Sequence, residues 1–101
     1  MTKYEKCIED LVATGIGTMK CFGNSMTPII MTASILEFQK FDLYEVGDIV
    51  FCRVKGRYID AHLITAKNEK RGYLISNNHG FQNGWTRTIY GKVVKINDIV
   101  Y

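Results

Sequence analysis

The stretch Cys21-Phe22-Gly23-Asn24-Ser25-Met26-Thr27-Pro28 decides how the rest of the chain is interpreted. Gly23 and Asn24 both tolerate positive φ, so the backbone can turn sharply there and leave the hydroxyl of Ser25 exposed at a bend. Pro28, the only proline, favours a short helical or irregular turn after the serine. Backbone N–H groups beside such a serine can form an oxyanion hole. The stretch therefore predicts a nucleophilic serine, although its residues are also those of an ordinary turn.

The composition indicates one folded domain. The chain has 101 residues, of which 47% are hydrophobic and 12% aromatic, which supports one modest core and argues against disorder. The net charge of +3 comes from basic residues spread along the chain, which favours a solvated surface over a nucleic-acid patch. No apolar run approaches the ~18 residues of a membrane helix, and the N-terminus lacks a signal-peptide pattern. The sequence therefore predicts a soluble domain without a membrane anchor.

Three cysteines, Cys7, Cys21 and Cys52, lie far apart in the sequence. Their spacing suggests neither a zinc site nor an even disulfide framework. Free thiols fit a reducing compartment, so we expect a cytoplasmic protein. The pattern calls for no metal and no cofactor.

A mostly-β fold with one N-terminal helix is predicted. Thr2 and Glu5 form a capping box at the start of a helix from about Lys3 to Thr14. The helix has an apolar stripe of Tyr4, Cys7, Ile8, Leu11 and Val12. Short strands are predicted at 18–22, within 29–44, and at 49–55, 58–66, 73–76, 86–90 and 92–96, with loops at 67–72 and 77–84. The single domain, 1–101, thus has a helix and turn at 1–17 and a coiled or barrel-like β core at 18–101.

Four stretches resemble, in order, motifs of the serine peptidase clan that unites type I signal peptidases with LexA-like repressor peptidases. Residues 23–28 resemble its Gly-x-Ser-Met-x-Pro box, and residues 47–51 its Gly-Asp-hydrophobic strand. Residues 73–78 and 90–94 are similar to two later strands of the clan. The resemblance covers roughly residues 20–96 and implies a coiled sheet or partial barrel that binds an extended peptide.

The resemblance implies that Ser25 is the nucleophile. The residues that would flank the oxyanion are Gly23, Asn24 and Met26. In LexA-like and bacterial signal peptidases the base is a lysine, but that position falls on Ala61 here. His62 is the next residue, and the signal peptidases of the endoplasmic reticulum and archaea use a histidine on this strand. Because imidazole titrates near neutral pH, we expect His62 to be the general base.

The residue that would orient the histidine departs from the pattern of the clan. The aspartate of the clan corresponds to Asn77 or Asn78, and an asparagine cannot stabilise an imidazolium as a carboxylate does. Asp60 lies two residues from His62, which puts both on one face of a regular strand, so Asp60 is the expected substitute. His79 is interpreted as a loop residue, with replacement of His62 as its alternative role.

Three functions follow as hypotheses. The first is a divergent serine peptidase-like domain that binds an extended peptide and cleaves it with a Ser-His dyad. The second is an inactive protein-binding module, such as a phage-encoded regulator or inhibitor, because stand-alone domains of this size resemble those of phages and mobile elements. The third is a small nucleic-acid binder that uses Phe81, Trp85, Arg87, Tyr90 and Lys92. An open sheet edge would also allow a dimer.

Overall fold

The computed structural model describes all 101 residues and is mostly β with one helix. The elements are α1 (Lys3–Thr14), β1 (Ile16–Cys21), β2 (Ser34–Gln39), β3 (Ile49–Val54), β4 (Arg57–Asn68), β5 (Gly72–Ser76), β6 (Gln82–Thr86), β7 (Ile89–Ile96) and β8 (Ile99–Val100). The predicted helix and mostly-β core are confirmed. The one helix is too short to span a membrane.

All strands belong to one antiparallel sheet in the order β1-β2-β7-β3-β4-β5-β6, with β8 paired to β7. The two ends, β1 and β6, do not pair, so the sheet does not close into a barrel. It coils instead. The hydroxyl of Thr86 donates to the carbonyl of Arg53 at 2.6 Å, and the N–H of Arg53 donates to the carbonyl of Thr88 at 3.1 Å. These bonds hold the end of β6 beside β3.

Helix α1 begins with the predicted capping box between Thr2 and Glu5 and ends at Gly15, which adopts the left-handed conformation. Cys7 and Leu11 are fully buried against the sheet. Val12 is 70% exposed, so its assignment to the apolar stripe was wrong. A narrower stripe therefore attaches the helix to the core.

The tip of the β3–β4 hairpin is Lys55-Gly56, since Val54 pairs with Arg57, so β4 begins one residue before the predicted strand 58–66. Lys55 and Gly56 have φ of 51° and 78°, as a two-residue type I′ turn requires. This tight turn sends β4 directly back along β3.

A β-bulge interrupts β4 next to His62, the expected general base. Val50 pairs with His62 and Cys52 with Ile59, so Phe51 alone opposes two residues of β4, Asp60 and Ala61. The expected period of two fails here, because an extra residue in one strand reverses the alternation beyond it. The expectation that Asp60 and His62 share a face assumed a regular strand, and the bulge breaks that regularity between them.

The predicted boundaries fail in the last third of the chain. The predicted loop 77–84 contains the start of β6, and the predicted strands 86–90 and 92–96 give way to one continuous strand, β7. Two hydrophobic clusters fill the two sides of the sheet: Phe38 and Phe51 lie in the cluster under α1, while Val50 and Ile64 lie in the other. All three cysteines are buried and free.

Candidate active site

Ser25 lies in the connection between β1 and β2, which we call the serine turn (residues 23–30). Gly23 has a φ of 105°, so the glycine provides the sharp bend that the sequence predicts. The turn continues as irregular hydrogen-bonded turns without forming a helix. Met26 and Ile30 are buried in the core, and the N–H of Ile30 donates to the carbonyl of Met26 at 2.9 Å. These two side chains anchor the turn, and Ser25 beside Met26 stays half-buried.

His62 lies on β4 with its ring directed at the serine turn. Its Nε2 is 3.0 Å from the Oγ of Ser25, within hydrogen-bond reach of a base and its nucleophile. The two residues are 37 positions apart in the sequence. The structure therefore brings together the serine and the histidine that the sequence predicts as a pair.

Asn83 on β6 contacts the other side of the imidazole ring. Its Oδ1 lies 2.6 Å from Nδ1 of His62. Because an amide oxygen only accepts hydrogen bonds, Nδ1 must carry the proton. Nε2 of the neutral ring is then unprotonated and can accept a hydrogen bond from the hydroxyl of Ser25. This is the tautomer that a general base for Ser25 needs.

The surroundings of His62 favour its neutral form. Burial lowers the pKa of His62 below its usual 6.5, because a charged imidazolium loses hydration there. The hydrogen bond with Asn83 and the charge of Asp60 act in the opposite direction but do not cancel this effect. The ring is therefore a free base at neutral pH.

Backbone N–H groups beside Ser25 are available to an anion. The N–H groups of Asn24, Ser25 and Met26 donate no hydrogen bond within the protein. The N–H of Gly23 differs, since it donates to the hydroxyl of Thr32 at 3.0 Å. Consecutive free N–H groups can stabilise negative charge on an oxygen. Of the predicted oxyanion residues, Asn24 and Met26 therefore have a free N–H, whereas Gly23 does not.

Asp60 is directed away from His62 and towards α1. Its carboxylate forms an ion pair with the ammonium of Lys3 at 3.1 Å, and the same ammonium donates to the carbonyl of Lys20 at 2.9 Å. Burial, together with the nearby carboxylate of Asp60, raises the pKa of Tyr4 to about 12. The structure does not bring Asp60 into hydrogen-bond contact with His62, and Asn83 occupies the position that Asp60 was expected to take.

Neither Asn77 nor Asn78 forms a hydrogen bond with the imidazole ring of His62. They belong to the β5–β6 loop (residues 77–81), which packs against the serine turn. The backbone N–H of Asn78 donates to the carbonyl of Ser25 at 2.8 Å, and its side-chain amide donates to the carbonyl of Thr27 at 3.0 Å. The side-chain oxygen of Asn77 accepts from backbone N–H groups within the loop. Both asparagines therefore contact or shape the serine turn and do not orient the ring.

His79 belongs to the same loop and does not approach Ser25 Oγ. Its Nε2 lies 3.0 Å from the carbonyl oxygen of Asn24 and 3.2 Å from the hydroxyl of Thr27. It thus contacts the backbone of the serine turn, in keeping with its interpretation as a loop residue.

A cleft of about 320 Å³ opens beside the pair of Ser25 and His62. Its walls come from α1, the end of β1, the serine turn and β4, and most of its lining is hydrophobic. One wall is a free strand edge: β5 pairs with β4 only from Leu63 onward, so residues 57–62 have no strand on that side. An unpaired strand edge can add a further strand through its backbone.

The residues proposed for nucleic-acid contact are mostly engaged within the chain. The ring of Tyr90 packs on Phe51 with centroids 4.8 Å apart, and Lys92 pairs with Asp48 at 3.7 Å. Arg87 donates to the backbone carbonyls of the β4–β5 turn. The guanidinium of Arg71 covers the ring of Trp85. Within the predicted set, Phe81 and Arg87 are exposed, while Trp85, Tyr90 and Lys92 are partly buried.

Asn83 is the one member of the group around His62 that the sequence did not single out. It lies in a stretch interpreted as a polar loop, and Gly84 follows it, so the local pattern does not mark a strand. Its relation to His62 depends on the coiling of the sheet, which no local pattern records.

Comparison with known proteins adds no relative. A scan against models of known protein families found no match, and a search of curated proteins found no similar sequence. The resemblance to the LexA and signal peptidase clan therefore rests on the residues quoted above.

Proposed function

We propose that the protein is a serine endopeptidase of the Ser-His type, a divergent member of the LexA and signal peptidase clan, that binds its substrate as an extended peptide. The proposal rests on one chain of contacts: Ser25 Oγ to His62 Nε2 at 3.0 Å, and His62 Nδ1 to Asn83 Oδ1 at 2.6 Å. The chain contains a nucleophile, a base and a group that orients the base, which is the arrangement that activated serines use.

The chemistry follows from these contacts. Ser25 Oγ attacks the carbonyl carbon of the peptide bond while Nε2 of His62 takes its proton. The free N–H groups of the serine turn stabilise the oxyanion of the tetrahedral intermediate. His62 then gives the proton to the leaving amine, and the peptide bond breaks to leave an ester on Ser25. A water molecule, deprotonated by His62, hydrolyses the ester and restores the hydroxyl.

The orienting group is an amide, which has consequences for rate. Asn83 holds the ring in the tautomer that accepts from Ser25, as an aspartate would. It does not provide the negative charge that stabilises the imidazolium formed during catalysis. We therefore expect a slower enzyme than one with a carboxylate in this place.

The free edge of β4 suggests how the substrate binds. Residues 58–62 line the cleft and belong to the part of β4 that β5 does not pair, which ends at His62. A peptide that pairs with this edge would form backbone hydrogen bonds whatever its sequence, and its reactive carbonyl would lie near Ser25. The proposal therefore includes an extended substrate and excludes one that binds as a helix.

Covalent labelling tests the proposal. The native chain is incubated with a peptidyl phosphonate, which reacts only with an activated serine, and its intact mass is measured. We expect one adduct on the native chain and none on Ser25→Ala or His62→Gln. Ser76→Ala is the control, because its hydroxyl bonds to Thr65 and does not line the cleft. An adduct that survives in Ser25→Ala, or no adduct on the folded native chain between pH 5 and 9, would overturn the proposal.

The amide at position 83 also favours a second candidate, a peptide-binding module that does not cleave. The cleft and the free strand edge would remain, and the protein would act by holding a segment of a partner protein, for example as a regulator or inhibitor. Unlabelled Ser25 together with tight binding of an uncleaved peptide would distinguish this candidate from the peptidase.

A further inference from the structure

A second cavity of about 310 Å³ lies next to the cleft, across the free edge of β4. Tyr58 and Ile59 line both cavities, so the strand edge that we propose for substrate pairing lies between them. The remaining residues of the second cavity, which we call the basic cavity, are Val54, Lys55, Arg57, Phe81 and Asn83.

The charge of the basic cavity is of one sign. Lys55 and Arg57 line it, neither forms an ion pair within the chain, and no acidic residue lines it. Arg53 lies beside them on β3 and stacks on the ring of Tyr58 at 4.9 Å, also without a carboxylate partner. The acid closest along the strand, Asp60, lies in the other cavity and is neutralised by Lys3. A positive field without internal compensation favours an anionic ligand.

A strand added to this edge would direct its side chains alternately to the two sides of the sheet. Because the two cavities meet at Tyr58 and Ile59 of this edge, we expect alternate residues of the peptide to enter the mostly hydrophobic cleft and the basic cavity. Arg57 is five residues from His62, which corresponds to about 16 Å of extended chain. The charge of Arg57 therefore faces peptide residues that lie several positions away from the reactive bond.

We propose that the preferred substrates are peptides with an acidic side chain three to five residues from the cleaved bond, on one side of it, alternating with apolar residues. This inference rests on the proposed peptide-binding function of the cleft and extends it to a substrate class. Lys55 and Arg57 are the residues that select the acidic side chain, and they act on substrate affinity without touching the reacting atoms.

Binding to the uncleaving variant Ser25→Ala tests this selection. The probes are fluorescein-labelled ten-residue peptides of alternating alanine and serine, in which two alternate serines near one end are replaced by aspartate or lysine. Peptides with the charges near the amino end or near the carboxyl end show on which side of the cleaved bond the acidic residues bind. Affinity is measured by fluorescence anisotropy at low salt. We expect one aspartate peptide to bind about five- to tenfold more tightly than the uncharged peptide, in line with two exposed charge pairs.

Two matched double variants separate the basic cavity from net charge. Lys55→Asn with Arg57→Gln should abolish the preference for aspartate, with asparagine chosen because position 55 has positive φ. The control double variant, Lys40→Asn with Lys70→Gln, also removes two positive charges, but from positions that line neither cavity. It should preserve the preference for aspartate.

The result is decisive in either direction. An equal loss of preference in both double variants, or no preference in the parent, would overturn the inference. Displacement of the aspartate peptide by a single-stranded oligonucleotide at a lower concentration would also overturn it and assign the basic cavity to phosphates. Phosphonate labelling of the native chain reports Ser25 separately, so loss of the acidic preference with labelling intact would refute only this inference and not the peptidase.

Discussion

The carboxamide oxygen of Asn83 lies 2.6 Å from Nδ1 of His62, although their strands, β6 and β4, are not neighbours in the sheet. β5 lies between them and ends at Ser76, while the coiled sheet brings Asn83, near the start of β6, up to His62 at the end of the free part of β4. The bulge at Asp60 and Ala61 then sets the face of β4 from which His62 points. The coiling of the sheet and the bulge in β4 thus together create the contact that orients His62.

Replacement of the two candidate orienting residues should have unequal effects. Asn83→Ala should lower the phosphonate labelling rate by about 10- to 100-fold, since a general base that is not held in place loses much of its effect. Asp60→Asn should change the rate by less than about threefold, because a partly exposed charge without direct contact contributes little. Circular dichroism confirms folding of each variant. A larger loss in Asp60→Asn than in Asn83→Ala would assign the orienting role to Asp60.

The labelling rate should rise with pH with a midpoint below 6.5. Burial lowers the pKa of His62, and only the neutral ring can take the proton from Ser25. Asn83→Asp places a carboxylate at Nδ1, which stabilises the imidazolium, so the midpoint should move to higher pH. Rates measured from pH 4.5 to 8.5 test both statements. A midpoint above 6.5 in the native chain, or no shift in Asn83→Asp, would contradict them.

The lowered pKa of His62 also makes the free energy of unfolding depend on pH. The pKa of His62 is lower in the folded chain than the ~6.5 of the unfolded chain, so the unfolded state binds the proton more readily. The contribution of His62 is complete above pH 6.5 and is lost as the pH falls from 6.5 through the folded pKa. His62→Gln should therefore weaken the decrease in unfolding free energy over that window. Urea unfolding at pH 7.5 and pH 5 measures the change in unfolding free energy of each chain. An equal change in the native chain and in His62→Gln would show that His62 does not contribute to the pH dependence.

The parts of the fold that depend on neighbours in sequence were predictable. The capping box at Thr2 and Glu5 and the glycine that ends α1 at position 15 are local signals, and the helix has the predicted bounds. The pairing of Ser25 with His62 was predicted from the order of the motifs that resemble the peptidase clan. No local pattern relates two residues that lie 37 positions apart. The bulge and Asn83 could not be predicted, since the register of β3 on β4 and the coiling of the sheet depend on packing between distant strands.

Two glycines with similar φ should respond differently to alanine. Gly72 and Gly56 have φ of 88° and 78°. A Cβ at Gly72 would overlap the carbonyl of Thr86 on β6, whereas a Cβ at Gly56 meets nothing within 4 Å. Gly56→Ala should cost only the backbone strain, about 1–2 kcal/mol. Gly72→Ala should cost about 1–3 kcal/mol more, because β6 must shift. Urea unfolding of both variants checks the order, and equal costs would contradict the close approach of β5 and β6.

The contact between the β5–β6 loop and the serine turn should control reactivity at Ser25. The side-chain amide of Asn78 donates to the carbonyl of Thr27 at 3.0 Å, while its backbone N–H donates to the carbonyl of Ser25. Asn78→Ala removes only the first bond, so the turn loses one of the contacts that fix Ser25 Oγ against His62. We expect the labelling rate to fall about tenfold while peptide affinity in the cleft is unchanged, because small misplacements of a nucleophile reduce rate more than binding.

The matched control for this loop is Asn68→Ala. The side chain of Asn68 also caps a turn, accepting from the N–H groups of Lys70 and Arg71, but this turn joins β4 to β5 away from Ser25. Asn78→Ala should lose about 1 kcal/mol of unfolding free energy, the typical value of one hydrogen bond, and Asn68→Ala about 1–2 kcal/mol, because it removes two. Only Asn78→Ala should lose labelling rate. If the two variants lose rate equally, the effect of Asn78 is on stability alone, and the β5–β6 loop does not position the nucleophile.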